Sequence, residues 1–218
     1  MYNITLVGTH HGEIGKSNSD ELYKIIESLN PDVIFEELST DHFDIIYTKP
    51  QILGEPPEVK SIKRYLINHN IRHIPVDISL NPLLLTNDIE NIFGAFKRYE
   101  VYKKLEEEQI EMTVKEGFTF LNSKRNLELS EVKKITERNL IEFMPNKNQI
   151  LRLWNLFYEE QDKRENEWLQ KIYNYSKENY YDKAIFTVGA GHRKSIMQKI
   201  QEYEKKEEFK LYWSFYEG

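Results

Sequence analysis

The sequences ITLVGTHH at residues 4–11 and AIFTVGAGH at residues 184–192 share one pattern. Each begins with a short apolar run and continues into a glycine, and a histidine follows three residues later, at His11 and at His192. Short apolar runs next to glycines are typical of buried strands in a parallel sheet. The carboxyl-terminal edge of such a sheet is where open α/β folds bind ligands. The pattern therefore predicts an α/β fold with two imidazoles at one edge.

The chain between these two motifs first alternates helices and strands. An apolar helical face begins near Ser19, and residues 32–37 (DVIFEE) predict the second strand. A second helix is predicted over residues 58–68, and residues 72–77 (RHIPVD) predict the third strand. Pro75 removes a backbone donor from that strand, so we expect it at an edge of the sheet or in an irregular position.

Residues 86–180 have the periodicity of helices throughout. One apolar stripe runs from Ile89 to Leu105, and it is typical of a buried helix face. Further predicted elements are helices over 130–143 and 149–175, a turn at 145–148, a fourth strand at 184–188, a helix over 193–205 and a last strand at 210–216. The prediction is a single domain over residues 1–218. Its mostly parallel sheet is flanked by helices, with an all-helical insertion between strands three and four.

Composition excludes several classes of protein. The 218-residue chain has a formal net charge of −6, which argues against a surface that follows nucleic-acid phosphates. It has no cysteine, so disulfides, zinc fingers and cysteine nucleophiles are excluded. It shows neither a signal peptide nor a membrane-spanning apolar run. We therefore expect a cytoplasmic protein that binds neither membrane nor nucleic acid, while its oligomeric state is not predicted.

Polar side chains gather where the predicted strands end. In parallel strands these ends share one edge, and two histidines with one glutamate form a known catalytic zinc ligand set that leaves a position open for water. Such a metal lowers the pKa of its bound water and polarises a carbonyl. The glycine before each histidine lets the backbone approach closely. The residues at the strand ends are His10, His11, Glu36, Glu37, Asp77 and His192.

Each of these residues also has an ordinary structural interpretation. A histidine after a strand commonly hydrogen-bonds a loop carbonyl, and Asp77 is also suited to capping a turn. Glu36 and Glu37 point to opposite faces of their strand, and parity alone does not say which one faces a site. The remaining histidines have no matching context and are interpreted as surface or core residues: His42, His69 and His73.

Two glycine-containing segments resemble nucleotide-binding loops only superficially. Gly15 precedes a lysine and a serine, but the first glycine of a phosphate-binding loop falls on His10, where a bulky side chain would obstruct the phosphate. Gly189 and Gly191 open a helix, but the third glycine position of a dinucleotide fingerprint is Lys194. The sequence therefore predicts neither a phosphate-binding loop nor a dinucleotide-binding site.

At these motifs the chain resembles the TraB/GumN/TIKI superfamily, which also takes in erythromycin-esterase-like and ChaN-like proteins. The resemblance is carried by GTHH at 8–11, PDVIFEEL at 31–38, Arg164 ahead of Trp168, and GAGH at 189–192. It covers both ends of the chain and, within the helical middle, Arg164.

The resemblance implies roles for individual residues. It places the family histidine on His11 and the family glutamate on Glu37, with His10 and Glu36 as additional residues. Asp77 falls where TraB-like members carry an acid after the third strand. The arginine role falls on Arg164, and Arg138 is a second candidate for it.

Members of this superfamily differ in chemistry, and the resemblance implies several activities. The main expectation is a metal-dependent, peptidase-like hydrolase of a small peptide or ester. His11, His192 and Glu37 would bind zinc, manganese or cobalt or activate water, and Arg164 would stabilise an oxyanion or orient Glu37. Arg164 is equally suited to a surface salt bridge. The alternatives are a metal-independent esterase with histidine-activated water, or a non-catalytic protein that binds a peptide or haem. The glycines expected to line the site are Gly8, Gly189 and Gly191.

Overall fold

A five-stranded, all-parallel sheet forms the centre of the molecule. The computed structural model describes residues 2–48, 54–79 and 87–218. The strand order is β3-β2-β4-β1-β5, with helices on both faces, so the predicted α/β fold is confirmed. The strands are β1 Asn3–Thr9, β2 Val33–Ser39, β3 Arg72–Asp77, β4 Lys183–Gly189 and β5 Tyr212–Phe215.

The register of the sheet brings the two glycine–histidine motifs together. In β1 and β4, which are neighbours, Gly8 lies opposite Val188 and Thr9 lies opposite Gly189. On the other side of β4, Glu36 of β2 lies opposite Thr187. The carboxyl ends of these three strands are therefore level. β3 pairs only with β2, which confirms the edge position expected from Pro75.

The described helices differ from the expected ones in several places. Helix α2 was not predicted, because Thr40–Thr48 buries no residue and has only a weak apolar pattern. The stripe expected to run from Ile89 to Leu105 is interrupted at residues 97–99, between α4 and α5. Residue 86, where the insertion is predicted to begin, lies outside the described residues. The helices are α1 Ser19–Leu29, α2 Thr40–Thr48, α3 Pro57–Asn68, α4 Asn87–Phe96, α5 Glu100–Glu116, α6 Phe118–Leu121, α7 Lys124–Ile141, α8 Lys147–Glu178 and α9 Arg193–Lys206, with a 3-10 turn at Ala190–His192.

Each face of the sheet packs against its own apolar cluster. Helices α8 and α9 cover one face, where Trp168 and Ile196 pack on Phe186. Helices α1 and α3 cover the other face, where Leu22 and Ile62 are fully buried. Helices α4, α5, α7 and α8 share a third cluster, which holds the helical region together beside the sheet. Within the described part of the chain, no helix is both long and apolar enough to cross a membrane.

Candidate active site

Gly189, the last residue of β4, lies at the centre of the candidate site. Its N–H donates a 2.7 Å hydrogen bond to Glu37 Oε2. A Cβ atom placed on Gly189 would lie 3.4 Å from Glu37 Oε2, 3.4 Å from His11 Nε2 and 3.6 Å from His192 Cδ2. The fold therefore brings the three residues expected to act together around one point, one from β2 and one each from the segments that follow β1 and β4.

Glu37 is the strand-two carboxylate that faces this point. It is buried on the α8 side of the sheet, where its Oε1 accepts a 3.0 Å hydrogen bond from Arg164 Nη2. His192 Nε2 lies 3.6 Å from the same oxygen. Glu36 points to the opposite face, where it accepts hydrogen bonds from Tyr47 and His73 at 2.9 Å each. Alternation along β2 thus separates a carboxylate in the site from one in the core.

Arg164 is buried rather than on the helix surface, since its side chain is only 9% exposed. Asp77 holds the guanidinium from β3 with two hydrogen bonds, 3.0 Å from Nε and 2.7 Å from Nη2. Asp77 also accepts a 2.6 Å hydrogen bond from Trp168 Nε1. A bidentate pair of this kind fixes the plane of the guanidinium. Asp77 therefore positions Arg164, and Arg164 in turn holds Glu37.

His192 is oriented by a buried carboxylate. Its Nδ1 lies 2.8 Å from Glu165 Oε1, and its ring packs edge-on against Trp168 at 5.0 Å. Glu165 also accepts a 2.5 Å hydrogen bond from Ser195 Oγ, which fixes the second carboxylate oxygen. When Nδ1–H donates to Glu165, Nε2 carries the lone pair and faces Glu37. In that tautomer the lone pair of Nε2 is directed into the site, 3.6 Å from Glu37 Oε1.

His11 is oriented in the same way from the other side. Its Nδ1 lies 3.1 Å from Oε1 of Glu58, which lies in the first turn of α3. The hydrogen bond to Glu58 raises the pKa of His11 to about 9. The negative charges of Glu58 and Glu37 also raise this pKa, whereas desolvation lowers it. At neutral pH His11 is therefore an imidazolium, and its Nε2–H is a donor directed at the site.

Several other residues expected at the site lie elsewhere. His10 is exposed, and its Nδ1 lies 2.9 Å from the carbonyl oxygen and 3.1 Å from the nitrogen of Gly12. Arg138 forms a surface ion pair at 2.8 Å with Glu142, the residue that follows α7. Neither residue lines the cleft above the site. Of the two arginine candidates, the structure brings only Arg164 to Glu37.

The three glycines serve different purposes. Gly8 is clamped by Asn122, which accepts from its N–H at 2.7 Å and donates to its carbonyl at 3.0 Å. A Cβ on Gly8 would lie only 3.1 Å from Asn122 Oδ1. Gly191 lines the cleft, and a Cβ there would have no heavy atom within 4 Å. Close packing therefore requires glycine at position 8, while Gly189 leaves room in the site.

The site opens into a cleft of about 790 Å³ between the sheet edge and the helical region. Its floor carries Glu37, His11 and His192. Its walls come from α4, α5, α7, α8 and α9, and Phe93, Tyr102 and Phe157 line the part furthest from the sheet. A volume of this size suits a small-molecule or short-peptide substrate.

The expected metal ligands fit a metal ion incompletely. The free Nε2 atoms, each with a carboxylate behind Nδ1, match the usual surroundings of metal-bound histidines. However, His11 holds a proton with a pKa of about 9, and both oxygens of Glu37 already accept hydrogen bonds, from Arg164 and Gly189. Among the described residues, no group of three histidine or carboxylate side chains is arranged to hold a metal ion.

Sequence reasoning missed both carboxylates behind the histidines. Glu58 follows two prolines at the start of α3, and nothing in its local sequence connects it with β1. Glu165 directly follows Arg164 in α8, so its position beside the expected arginine was the available signal. The Asn122 clamp on Gly8 had no signal, because it depends on how α6 packs against β1.

We compared the chain with family models, with curated proteins and with solved structures, and none of them matches it. The likeness to the TraB/GumN/TIKI superfamily therefore stays a prediction from the motifs.

Proposed function

We propose that this protein is a hydrolase that cleaves an amide or ester bond with water activated by Glu37 and His192. One observation carries the proposal. Glu37 of β2 and the two histidines that follow β1 and β4 surround Gly189, and a buried carboxylate orients each histidine from behind. Nucleophile activation needs a base held by a third group in this way.

The separation of Glu37 Oε1 and His192 Nε2, 3.6 Å, allows one water molecule to contact both atoms. His192 Nε2 takes a proton from that water while the water oxygen attacks the substrate carbonyl. Glu165 stabilises the imidazolium that forms on His192. Glu37, held by Arg164 and by the Gly189 N–H, orients the water.

His11 acts as the acid in this scheme. Its Nε2–H first donates a hydrogen bond to the oxyanion that forms at the carbonyl and then gives its proton to the departing amine or alcohol. Glu58 keeps His11 protonated at neutral pH, and a protonated imidazole is what the role of acid requires.

The test uses purified protein with short acetylated peptides and 4-nitrophenyl esters, assayed in chelator and with added Zn²⁺, Mn²⁺ or Co²⁺. We expect turnover in chelator. The variants His192→Asn and Glu37→Gln should each lower kcat by about 10²-fold or more, the usual size of a general-base contribution. His10→Asn is the matched control, because this neighbouring histidine lies outside the cleft.

Two other results would replace the proposal. Turnover that appears only with a divalent metal would favour the metal-dependent peptidase expected from the superfamily. Peptide or haem binding without any turnover, haem being seen as a visible absorption band, would make the protein a binding protein. Circular dichroism of each variant shows whether the fold is retained.

A further inference from the structure

The part of the cleft furthest from the sheet carries aromatic rings and two lysines. Phe93 of α4 and Phe157 of α8 pack edge-on at 5.0 Å, and Tyr158 follows Phe157 in the wall. Lys133 and Lys134 of α7 line the same part. We name these five residues the distal end of the cleft. None of them takes part in the water-activating chemistry.

The tyrosine hydroxyl groups beside the distal end already have a hydrogen-bond acceptor within the protein. Glu137 is buried and accepts hydrogen bonds from Tyr158 at 2.8 Å, from Tyr102 at 3.0 Å and from Trp154 Nε1 at 3.0 Å. Because the hydroxyl of Tyr158 donates to Glu137, the ring rather than the hydroxyl is what the distal end offers. This end is therefore suited to an apolar or aromatic group.

Lys134 supplies a positive charge at this end. Its Nζ lies 3.9 Å from the centre of the Tyr158 ring, and no ion pair with a carboxylate is found for it in the described ranges 2–48, 54–79 and 87–218. The other cations of the cleft are occupied. Lys194 pairs with Glu131 at 2.8 Å, and Lys133 contacts Gln109 at 2.8 Å and Glu106 at 3.8 Å. Lys134 is thus the cation placed to bind an anion.

The distance from the site to the distal end sets the length of the substrate. Tyr158 precedes Arg164 by 164 − 158 = 6 residues in α8, which corresponds to roughly 9 Å along the helix. An extended peptide advances by roughly 3.3–3.6 Å per residue, so about three residues span this distance.

We propose that the cleft binds short peptides through their free C-terminal carboxylate, with Lys134 as the carboxylate-binding residue. Phe93 and Phe157 contact an apolar or aromatic last side chain, and the scissile amide lies about three residues upstream, at Glu37 and His192. This substrate class rests on the proposed hydrolase function. Lysine is suited to the role because its ammonium is a mobile point charge that binds a carboxylate without fixed geometry.

The binding test needs no turnover. Calorimetry measures the affinity of the tripeptide alanyl-alanyl-phenylalanine, with a free carboxylate or with a C-terminal amide, for the wild type and for Lys134→Met. We expect the acid to bind more tightly than the amide, and Lys134→Met to reduce that preference about three- to fivefold, the range of a solvent-accessible ion pair. The preference should also weaken in high salt.

Lys124→Met is the matched control, because Lys124 is an exposed lysine at the start of α7 that pairs with Glu128 outside the cleft. Equal binding of acid and amide, or a preference that survives Lys134→Met, would overturn the carboxylate subsite.

Cleavage is measured separately on an acetylated peptide of three alanines and a terminal phenylalanine, as acid and as amide. A higher kcat/KM for the acid that depends on Lys134 supports both proposals. Cleavage of acid and amide at equal rates overturns the subsite and leaves the hydrolase. Preferential binding of the acid without cleavage overturns the hydrolase and leaves the subsite.

Discussion

Gly189 is the residue at which the site can be tested with a single methyl group. Its φ of −51° and ψ of 130° are open to alanine, so Gly189→Ala requires no backbone change. The new methyl would lie 3.4 Å from both Glu37 Oε2 and His11 Nε2, in the space that the proposal gives to water and substrate. We expect folding to be retained and kcat/KM to fall at least about tenfold, measured by steady-state kinetics and thermal unfolding.

Gly191→Ala is the control for this experiment. A methyl at position 191 would have no heavy atom within 4 Å, although the residue also lines the cleft. Its activity should stay close to that of the wild type. If Gly189→Ala kept full activity, the reacting groups would not meet at the end of β4, and the proposed site would be wrong.

His11 gives the protein a specific pH dependence. Its pKa of about 9 in the folded chain lies above the unfolded value of 6.5, so protonation of His11 favours folding. The stabilisation is fully present below about pH 6.5 and is lost as the pH rises through about 9. We expect the His11 ring proton resonance to titrate near pH 9 by NMR, and kcat/KM to fall above that pH as the acid is lost.

Glu58→Gln removes the charge that causes this shift. In that variant the titration of His11 should move down towards 6.5, and the difference from the wild type in free energy of unfolding should shrink between pH 6.5 and 9. His11→Gln assigns the resonance. A titration of His11 that is unchanged in Glu58→Gln would show that the Nδ1–Glu58 contact is not the cause.

At the scale of single residues, the sequence alone did not decide between Glu36 and Glu37, and it did not indicate the carboxylates that orient the two histidines. It placed both Glu36 and Glu37 at the end of β2, but only the packing of α8 on one face and of α3 on the other shows that Glu37 meets Arg164. The carboxylates behind the histidines come from α3 and α8. Contacts between distant elements have no local pattern, so no periodicity could have indicated them.

At the scale of elements, two helix glycines have opposite roles. Gly117 joins α5 to α6 with φ of 59° and ψ of −130°, and a Cβ there would lie 2.5 Å from the carbonyl oxygen of Lys16. Gly94 lies within α4 with open space around it. Gly117→Ala should therefore lower the free energy of unfolding by about 1–3 kcal/mol. Gly94→Ala should raise it by up to about 1 kcal/mol, because alanine favours the helix.

Urea denaturation measures both changes, and each variant serves as the control for the other. If Gly117→Ala were as stable as the wild type, the chain would have to join α5 to α6 with a different backbone conformation. The sequence shows only that both positions are glycine. The difference between them arises because the loop at Lys16 packs against the end of α5.

The elements that sequence predicted well have strong local patterns. The apolar strands at residues 4–7 and 184–188 and the amphipathic α1 and α3 follow from periodicity. The weakly patterned α2 was missed, and the helical stripe after Ile89 was extended across the break at residues 97–99. In both places the local pattern is a weak guide: α2 buries no residue, and the break after Phe96 is a turn closed by backbone hydrogen bonds from Arg98 to Ala95 and from Tyr99 to Phe96.

At the scale of the whole molecule, the site depends on parts of the chain that are far apart in sequence. β1 brings His11, β2 brings Glu37, and β4 leads to His192, while α8 brings Arg164 from the helical region. The parallel register makes the three strand ends level, and Asp77 on the edge strand fixes the arginine. The site is therefore formed only when the sheet and α8 have packed together.

The same architecture predicts which regions of the molecule open first, measurable by native-state hydrogen exchange. β4 lies between β1 and β2 at the centre of the sheet and is buried along nearly its whole length, so its amides should exchange only through global unfolding. α2 buries no residue, and its amides should exchange through local opening. α1 is the matched helix, because it is of similar length but buries Leu22, Tyr23, Ile25 and Ile26. Protection of α2 equal to that of α1 would contradict this, since it would mean that the contacts of Phe43 and Tyr47 with Glu36 and His73 are enough to keep the helix closed.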